Sequence, residues 1–140
     1  MKAILNFIGI IHSPLKNTED CPRQENENAP PAELVIYPEF SAAIKDIQAG
    51  DEMLLLTWLH AADRNVLACK PRNNESAALT GVFSTRSPDR PNPIGIHIIK
   101  IISAENNVLK VANLEVLDET PLVDIKPLWK KDRMFNEHES

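Results

Sequence analysis

The stretch from Ser84 to Gly95, STRSPDRPNPIG, restricts this chain more than any other. Pro88, Pro91 and Pro93 fix φ and remove backbone donors, so the stretch is neither helix interior nor central strand. Each residue before a proline is also driven toward extended geometry. Regular structure must therefore stop before this segment and restart after it. The segment also carries Arg86 and Arg90, each with a planar fork able to grip carboxylate or phosphate. Two readings are open on these residues. One is a rigid inter-strand connection whose arginines pair with nearby acids. The other is a preorganised anion clamp, with Asp89 and Asn92 as neighbouring polar groups, that loses little entropy on binding.

The flanking sequence is strand-like. TGVFST leads into the segment and Ile94–Ile102 leaves it, joined to Asn107–Leu117 across SAENN, a five-residue connection suited to a hairpin. Leu5–His12, LVIY and RNVLACK are further strand candidates, and Glu52–His60 is a continuous apolar run that reads as a strand buried on both faces. Helical periodicity is scarce: Phe40, Ile44 and Ile47, with Gly50 as a stop, predict two turns. Lys16–Glu33 is polar, contains three prolines and reads as a long loop. The pattern favours a mainly β chain, a barrel or two-layer sheet, over βαβ alternation. At 140 residues a single domain is expected.

Several chemistries are excluded by what is missing. The four glycines, Gly9, Gly50, Gly81 and Gly95, form neither a P-loop nor the GxGxxG turn of a doubly wound dinucleotide fold. His12, His60, His97 and His138 are scattered, and Cys21 and Cys69 are isolated, so no metal site is signalled and idle thiols are expected. No apolar run reaches the roughly 18 residues of a membrane span. The N-terminus reads as a first strand rather than a signal peptide, and a cytoplasmic location is expected. The net charge of −5 argues against a generic nucleic-acid binder, but the charge is segregated. Residues 64–100 carry Arg64, Lys70, Arg72, Arg86, Arg90 and Lys100 against only Glu75 and Asp89, a balance compatible with an anionic partner.

Four stretches taken in order, FIGIIHSPLKNTEDCPRQ, LLLTWLH, GVFSTRSPDRPNPIGIHIIKI and LEVLDETPLVDIKP, resemble the signature blocks of the TsaA-like proteins, the TrmO family of tRNA adenosine N6-methyltransferases. The resemblance spans about residues 6–133 and rests most heavily on the proline segment. It implies a small β-barrel with one or two short helices, acting as a homodimer and binding S-adenosyl-L-methionine. It implies methylation of N6 of a threonylcarbamoyl-modified adenosine beside the tRNA anticodon. Donor contacts carried over by motif are Pro22, Arg23 and Gln24; His60 and Ala61; Arg86 and Ile96; and Asp118, Glu119, Thr120 and Pro121. The family's DGTP turn carries Glu119 in place of glycine here, and no C-terminal extension domain is expected. Arg64, Lys70, Arg72 and Arg90 are candidates to follow RNA phosphates. Asp89, Asp124 and His60 are the candidate bases, and proton loss to bulk water is equally open. Two alternatives accompany this expectation: a non-catalytic S-adenosylmethionine-binding or sensing module, and a methyltransferase acting on a small molecule.

Overall fold

A computed structural model describes residues 1–16, 31–70, 76 and 78–129. Its strands are β1 (Gly9–His12), β2 (Ala32–Ile36), β3 (Glu52–Trp58), β4 (Ala68–Cys69), β5 (Thr80–Gly81), β6 (Ile94–Glu105), β7 (Val108–Ala112) and β8 (Pro121–Pro127). Six of them close a barrel in the order β1-β2-β7-β6-β3-β8, with β8 returning to β1. Every pairing is antiparallel. Closure leaves the barrel without a sheet edge. β4 and β5 form a separate two-stranded ribbon.

Strand alternation fills the barrel from inside. Met53, Leu55 and Thr57 of β3 face inward, as do Gly95, His97, Ile99 and Ile101 of β6. They meet Ile11, Leu34, Ile36, Leu109, Val111, Leu114, Val116 and Leu122 in one apolar core. This corrects the two-sided burial expected of Glu52–His60. The run reads as a doubly buried strand because its outward residues, Leu54, Leu56 and Trp58, are also apolar, yet they are only partly covered.

The other elements follow local chemistry. Residues Pro38–Ile44 form a 3-10 helix with proline in its first turn. Phe40, Ile44 and Ile47 pack on the core as their spacing predicts, and Gly50 ends the run at φ +94. A second 3-10 turn, Val82–Ser84, opens the proline segment. The β6–β7 connection is tighter than the five residues expected. Asn106 and Asn107 make the turn at φ 50 and 63, the pair of left-handed residues that a two-residue hairpin requires. The first strand is shorter than expected, starting at Gly9 rather than Leu5. Residues 121–127 form β8, with prolines at its first and last positions where a missing donor costs least.

Candidate functional site

The registers place the expected site residues at one rim of the barrel. There the exits of β1 and β3 meet the entrances of β2, β6 and β8: His12 pairs with Glu33, Ile10 with Pro121, Trp58 with Ile94, and Thr57 with Leu122. The opposite end carries the Asn106–Asn107 turn and the 3-10 helix after β2.

The proline segment stands on this rim through bonds to the end of β3. The Leu59 N–H donates to the Pro93 carbonyl (2.8 Å), and the Asp63 N–H donates to Asp89 Oδ1 (2.9 Å). Arg64 lies over the Trp58 ring, 5.0 Å from its centroid, and its Nε donates to the Pro91 carbonyl (2.7 Å). Phe7 contacts the same indole, with ring centroids 6.4 Å apart. Arg90 turns back into its own loop. Its Nε donates to the Ser87 carbonyl (2.7 Å) and its Nη2 to the carbonyls of Val82 (2.8 Å) and Thr85 (2.5 Å). Carbonyls that no regular ladder pairs in this proline-rich loop are satisfied by a guanidinium. Arg64 and Arg90, expected to follow phosphates, both bond to carbonyls of the proline segment. Of the segment's two arginines, Arg90 bonds to carbonyls of its own loop. Arg86 is exposed on the segment so braced, and Asp89 is one of the braces.

Across the rim, residues Asp118–Pro121 are stitched to β1. The Asp118 N–H donates to the Leu15 carbonyl (2.8 Å) and the Glu119 N–H to the Ile11 carbonyl (2.7 Å), while the Ile11 N–H donates to the Thr120 carbonyl (3.0 Å). Thr120 is buried and its hydroxyl donates to the Leu117 carbonyl (2.7 Å). Glu119 holds φ at +67, the left-handed conformation that glycine adopts readily, so the turn keeps its shape without the glycine. Asp118 Oδ2 accepts from Lys16 Nζ (2.8 Å), and Oδ1 accepts from the Ser13 N–H (2.9 Å) with His12 Nδ1 at 3.7 Å. The Lys16 ammonium first, and then the Ser13 N–H, hold the Asp118 carboxyl below its ordinary value against the opposing effect of burial.

On the outer wall, Asp124, Leu56 and Ile96 are direct neighbours across β8, β3 and β6. Asp124 Oδ2 lies 3.0 Å from Lys126 Nζ. His60 and Ala61 are exposed at the end of β3. His60 and Ala61 thus follow the end of β3, Ile96 lies near the start of β6 and the Asp118–Pro121 turn leads into β8 at this end of the barrel, while Arg86 is exposed on the proline segment. Pro22, Arg23, Gln24, Cys21 and Arg72 lie outside the described residues. A groove of about 560 Å³, lined by His12, Ser13, Lys16, Glu33, Lys110 and Asp118 among others, opens beside the rim. It shares only Asp118 with the expected donor set. Its lining includes Lys16 and Pro31, the residues that bracket positions 17–30. Among the described residues no group of three or more His, Cys, Asp or Glu gathers as a metal site, and no helix is long and apolar enough to cross a membrane.

Sequence reasoning missed a polar pair under the rim. Thr57 Oγ1 and His97 Nε2 lie 3.0 Å apart in the barrel interior. Gly95 makes room for them: a Cβ there would sit 2.5 Å from Thr57 Oγ1 and 2.9 Å from His97 Nε2. The only signal for this was the inward alternation Gly95, His97, Ile99 after the prolines.

Comparison with known proteins places this geometry in context. A profile of the tRNA-methyltransferase O N-terminal domain matches residues 10–132. A protein named "Probable S-adenosyl-L-methionine-binding protein" from Methanothermobacter thermautotrophicus is 37% identical over 130 residues, covering 93% of this chain and 93% of its own. A protein of the same name from Archaeoglobus fulgidus is 42% identical over 123 residues, 88% of this chain but 33% of that protein. The crystal structure of TrmO from Pseudomonas aeruginosa superposes with a TM-score of 0.74 at 29% identity, covering 94% of this chain and 58% of that one. The chain thus spans a third of the Archaeoglobus relative and just over half of the solved protein.

Proposed function

Because the chain belongs to the family of the tRNA-methyltransferase O N-terminal domain, we propose that it is an S-adenosyl-L-methionine-dependent methyltransferase that acts on N6 of a tRNA adenosine beside the anticodon. The observation that carries this reading is the convergence of the expected donor residues on one rim of a closed barrel that lacks any glycine-rich phosphate turn. When bound, S-adenosylmethionine supplies a methyl group activated on a sulfonium.

The chain's own residues fit such a ligand. Arg86 offers a fork suited to the carboxylate of an amino acid. Ile96 and Leu56 provide apolar wall, and the exposed end of β3 at His60 and Ala61 supplies polar edge contacts. The Asp118 turn closes the opposite side, its carboxylate kept ionised by Lys16. Positioning carries a large share of the work in a group transfer of this kind. The bonds from Leu59, Asp63 and Arg64 to the proline segment fix Arg86 relative to β3 before any ligand arrives. Of the candidate bases, Asp89 is engaged in that bracing and Asp124 pairs with Lys126, while His60 is exposed at the end of β3.

We place the protein in the cytoplasm as a homodimer. The outward apolar row Leu54, Leu56 and Trp58, beside Ile94, Ile96 and Ile98, supports pairing of two copies. A second reading, a module that binds S-adenosylmethionine without turnover, is favoured by the engagement of Asp89 with Asp63 and of Asp124 with Lys126. Calorimetric titration with S-adenosylmethionine tests the donor site. The expected result is saturable binding that Arg86→Ala weakens about tenfold or more through a lost charged hydrogen bond. Absence of binding to the unaltered protein, alone or mixed with tRNA, rules out both readings.

A further inference from the structure

Among the described strand residues, the buried inner wall of the barrel is apolar except at Thr57 and His97. Both face inward, Thr57 from β3 and His97 from β6, and Oγ1 lies 3.0 Å from Nε2. His97 pairs with Leu55 in the register, so its imidazole reaches along the barrel to Thr57 past the bare Gly95. Two polar groups buried there cost desolvation that an apolar pair of the same shape avoids. A hydrogen bond gives direction in return, where apolar contact tolerates sliding.

Direction matters at this level because the ladders weaken there. The β3–β6 register runs out at Trp58 and Ile94, and past it the Leu59 N–H bonds the Pro93 carbonyl (2.8 Å). Gly95, directly opposite Thr57, adds no side chain to the packing. On the other flank of β3, Leu56 pairs with Asp124 but Thr57 with Leu122, so the register passes over Val123 in a bulge. The Thr57–His97 bond stands where these irregularities coincide.

We infer that Thr57 and His97 are a positioning pair for the donor site, fixing the end of β3 against the start of β6. Both are buried inside the barrel, so they act through their neighbours rather than by touching the ligand. Trp58 carries the Arg64 guanidinium that bonds Pro91, and Leu59 bonds Pro93. The set of β3 at its end therefore decides where the proline segment, and Arg86 on it, stand. Ile96, beside His97, faces the outer wall. This rests on the reading of these strand ends as the S-adenosylmethionine site.

The test compares substitutions that separate shape from hydrogen bonding. Thr57→Val keeps the branched shape and removes the hydroxyl, whereas Thr57→Ser keeps the hydroxyl. Calorimetric titration with S-adenosylmethionine, well below the unfolding midpoint, is expected to show binding about tenfold weaker for Thr57→Val and unchanged for Thr57→Ser. Amide hydrogen exchange in Thr57→Val is expected to rise more at Leu59 than at Leu34 on the far wall. The double variant Thr57→Val with His97→Leu replaces both polar groups by apolar ones. Its urea midpoint is expected to recover toward that of the unaltered protein while donor binding stays about tenfold weaker. This variant carries the test if Thr57→Val alone does not fold. Unchanged donor affinity in the double variant, or in a folded Thr57→Val, reduces the pair to a stabilising contact and overturns the inference. Equal weakening by Thr57→Ser and Thr57→Val overturns it as well, since the hydroxyl would then not be what matters. Absence of donor binding by the unaltered protein removes the donor reading and the pair's role with it.

Discussion

Thr57 and His97 face each other across β3 and β6, with Oγ1 and Nε2 3.0 Å apart, in the space that Gly95 leaves. The pair lies just beneath the rim that carries the proline segment, because Trp58 follows Thr57 and Ile96 precedes His97. A methyl at position 95 would come within 2.5 Å of Thr57 Oγ1 and 3.2 Å of Leu59 Cδ2. Thr57 is β-branched and fully buried, so it has little room to turn away. Gly95→Ala is expected to lower stability by about 1–3 kcal/mol, read from urea unfolding midpoints. A midpoint equal to that of the unaltered protein would show that the rim yields without cost.

Glu119 occupies a left-handed conformation at φ +67 while Thr120 bonds to Ile11 of β1 and Asp118 to Leu15 just beyond it. An L-residue with a side chain is strained there by about 1–2 kcal/mol, partly offset by the greater chain entropy that glycine loses on folding. Glu119→Gly is therefore expected to stabilise the protein by about 0.5–1 kcal/mol and leave donor affinity unchanged. Thermal unfolding and calorimetry together check this. A loss of affinity with a gain in stability would assign the Glu119 carboxylate to the ligand.

Asp118 predicts how acid acts on the rim. Its folded-state pKa is depressed, chiefly by Lys16, so its contribution is present above the unfolded value and lost as pH falls through the folded one. Lys16 is largely exposed and salt screens the pair. Asp118→Asn is expected to cost about 1 kcal/mol near neutral pH, with the difference from the unaltered protein shrinking as pH falls below the ordinary carboxylate range. Urea midpoints across that range measure it. A difference independent of pH would mean that packing, not charge, is what the substitution removes.

Much of this was legible in the sequence where local chemistry decides. Phe40, Ile44, Ile47 and Gly50 announced a helical turn packed on the core, and the prolines announced the break before β6. What was not legible depends on closure of the barrel. An apolar run such as MLLLTW reads alike whether a second layer covers it or its outer face stays open, so Leu54, Leu56 and Trp58 were read as buried. β8 was hidden by prolines at its ends, because position relative to a sheet edge is a tertiary property. From spacing alone Arg90 was open between an anion clamp and a structural pairing. The carbonyls of Val82, Thr85 and Ser87, which it satisfies instead, converge on it only in the folded loop. The donor contacts were legible only through the resemblance to TrmO; of those residues the registers fix Ile96 and Pro121, both near strand starts at one end of the barrel.

The central claim is turnover on RNA at that rim. The most direct measurement is incubation of the purified chain with methyl-labelled S-adenosylmethionine and total tRNA, followed by digestion and nucleoside analysis. Label in an N6-methylated, threonylcarbamoyl-modified adenosine is the predicted result. Saturable donor binding with no label in any nucleoside would contradict it and leave the protein a binding module.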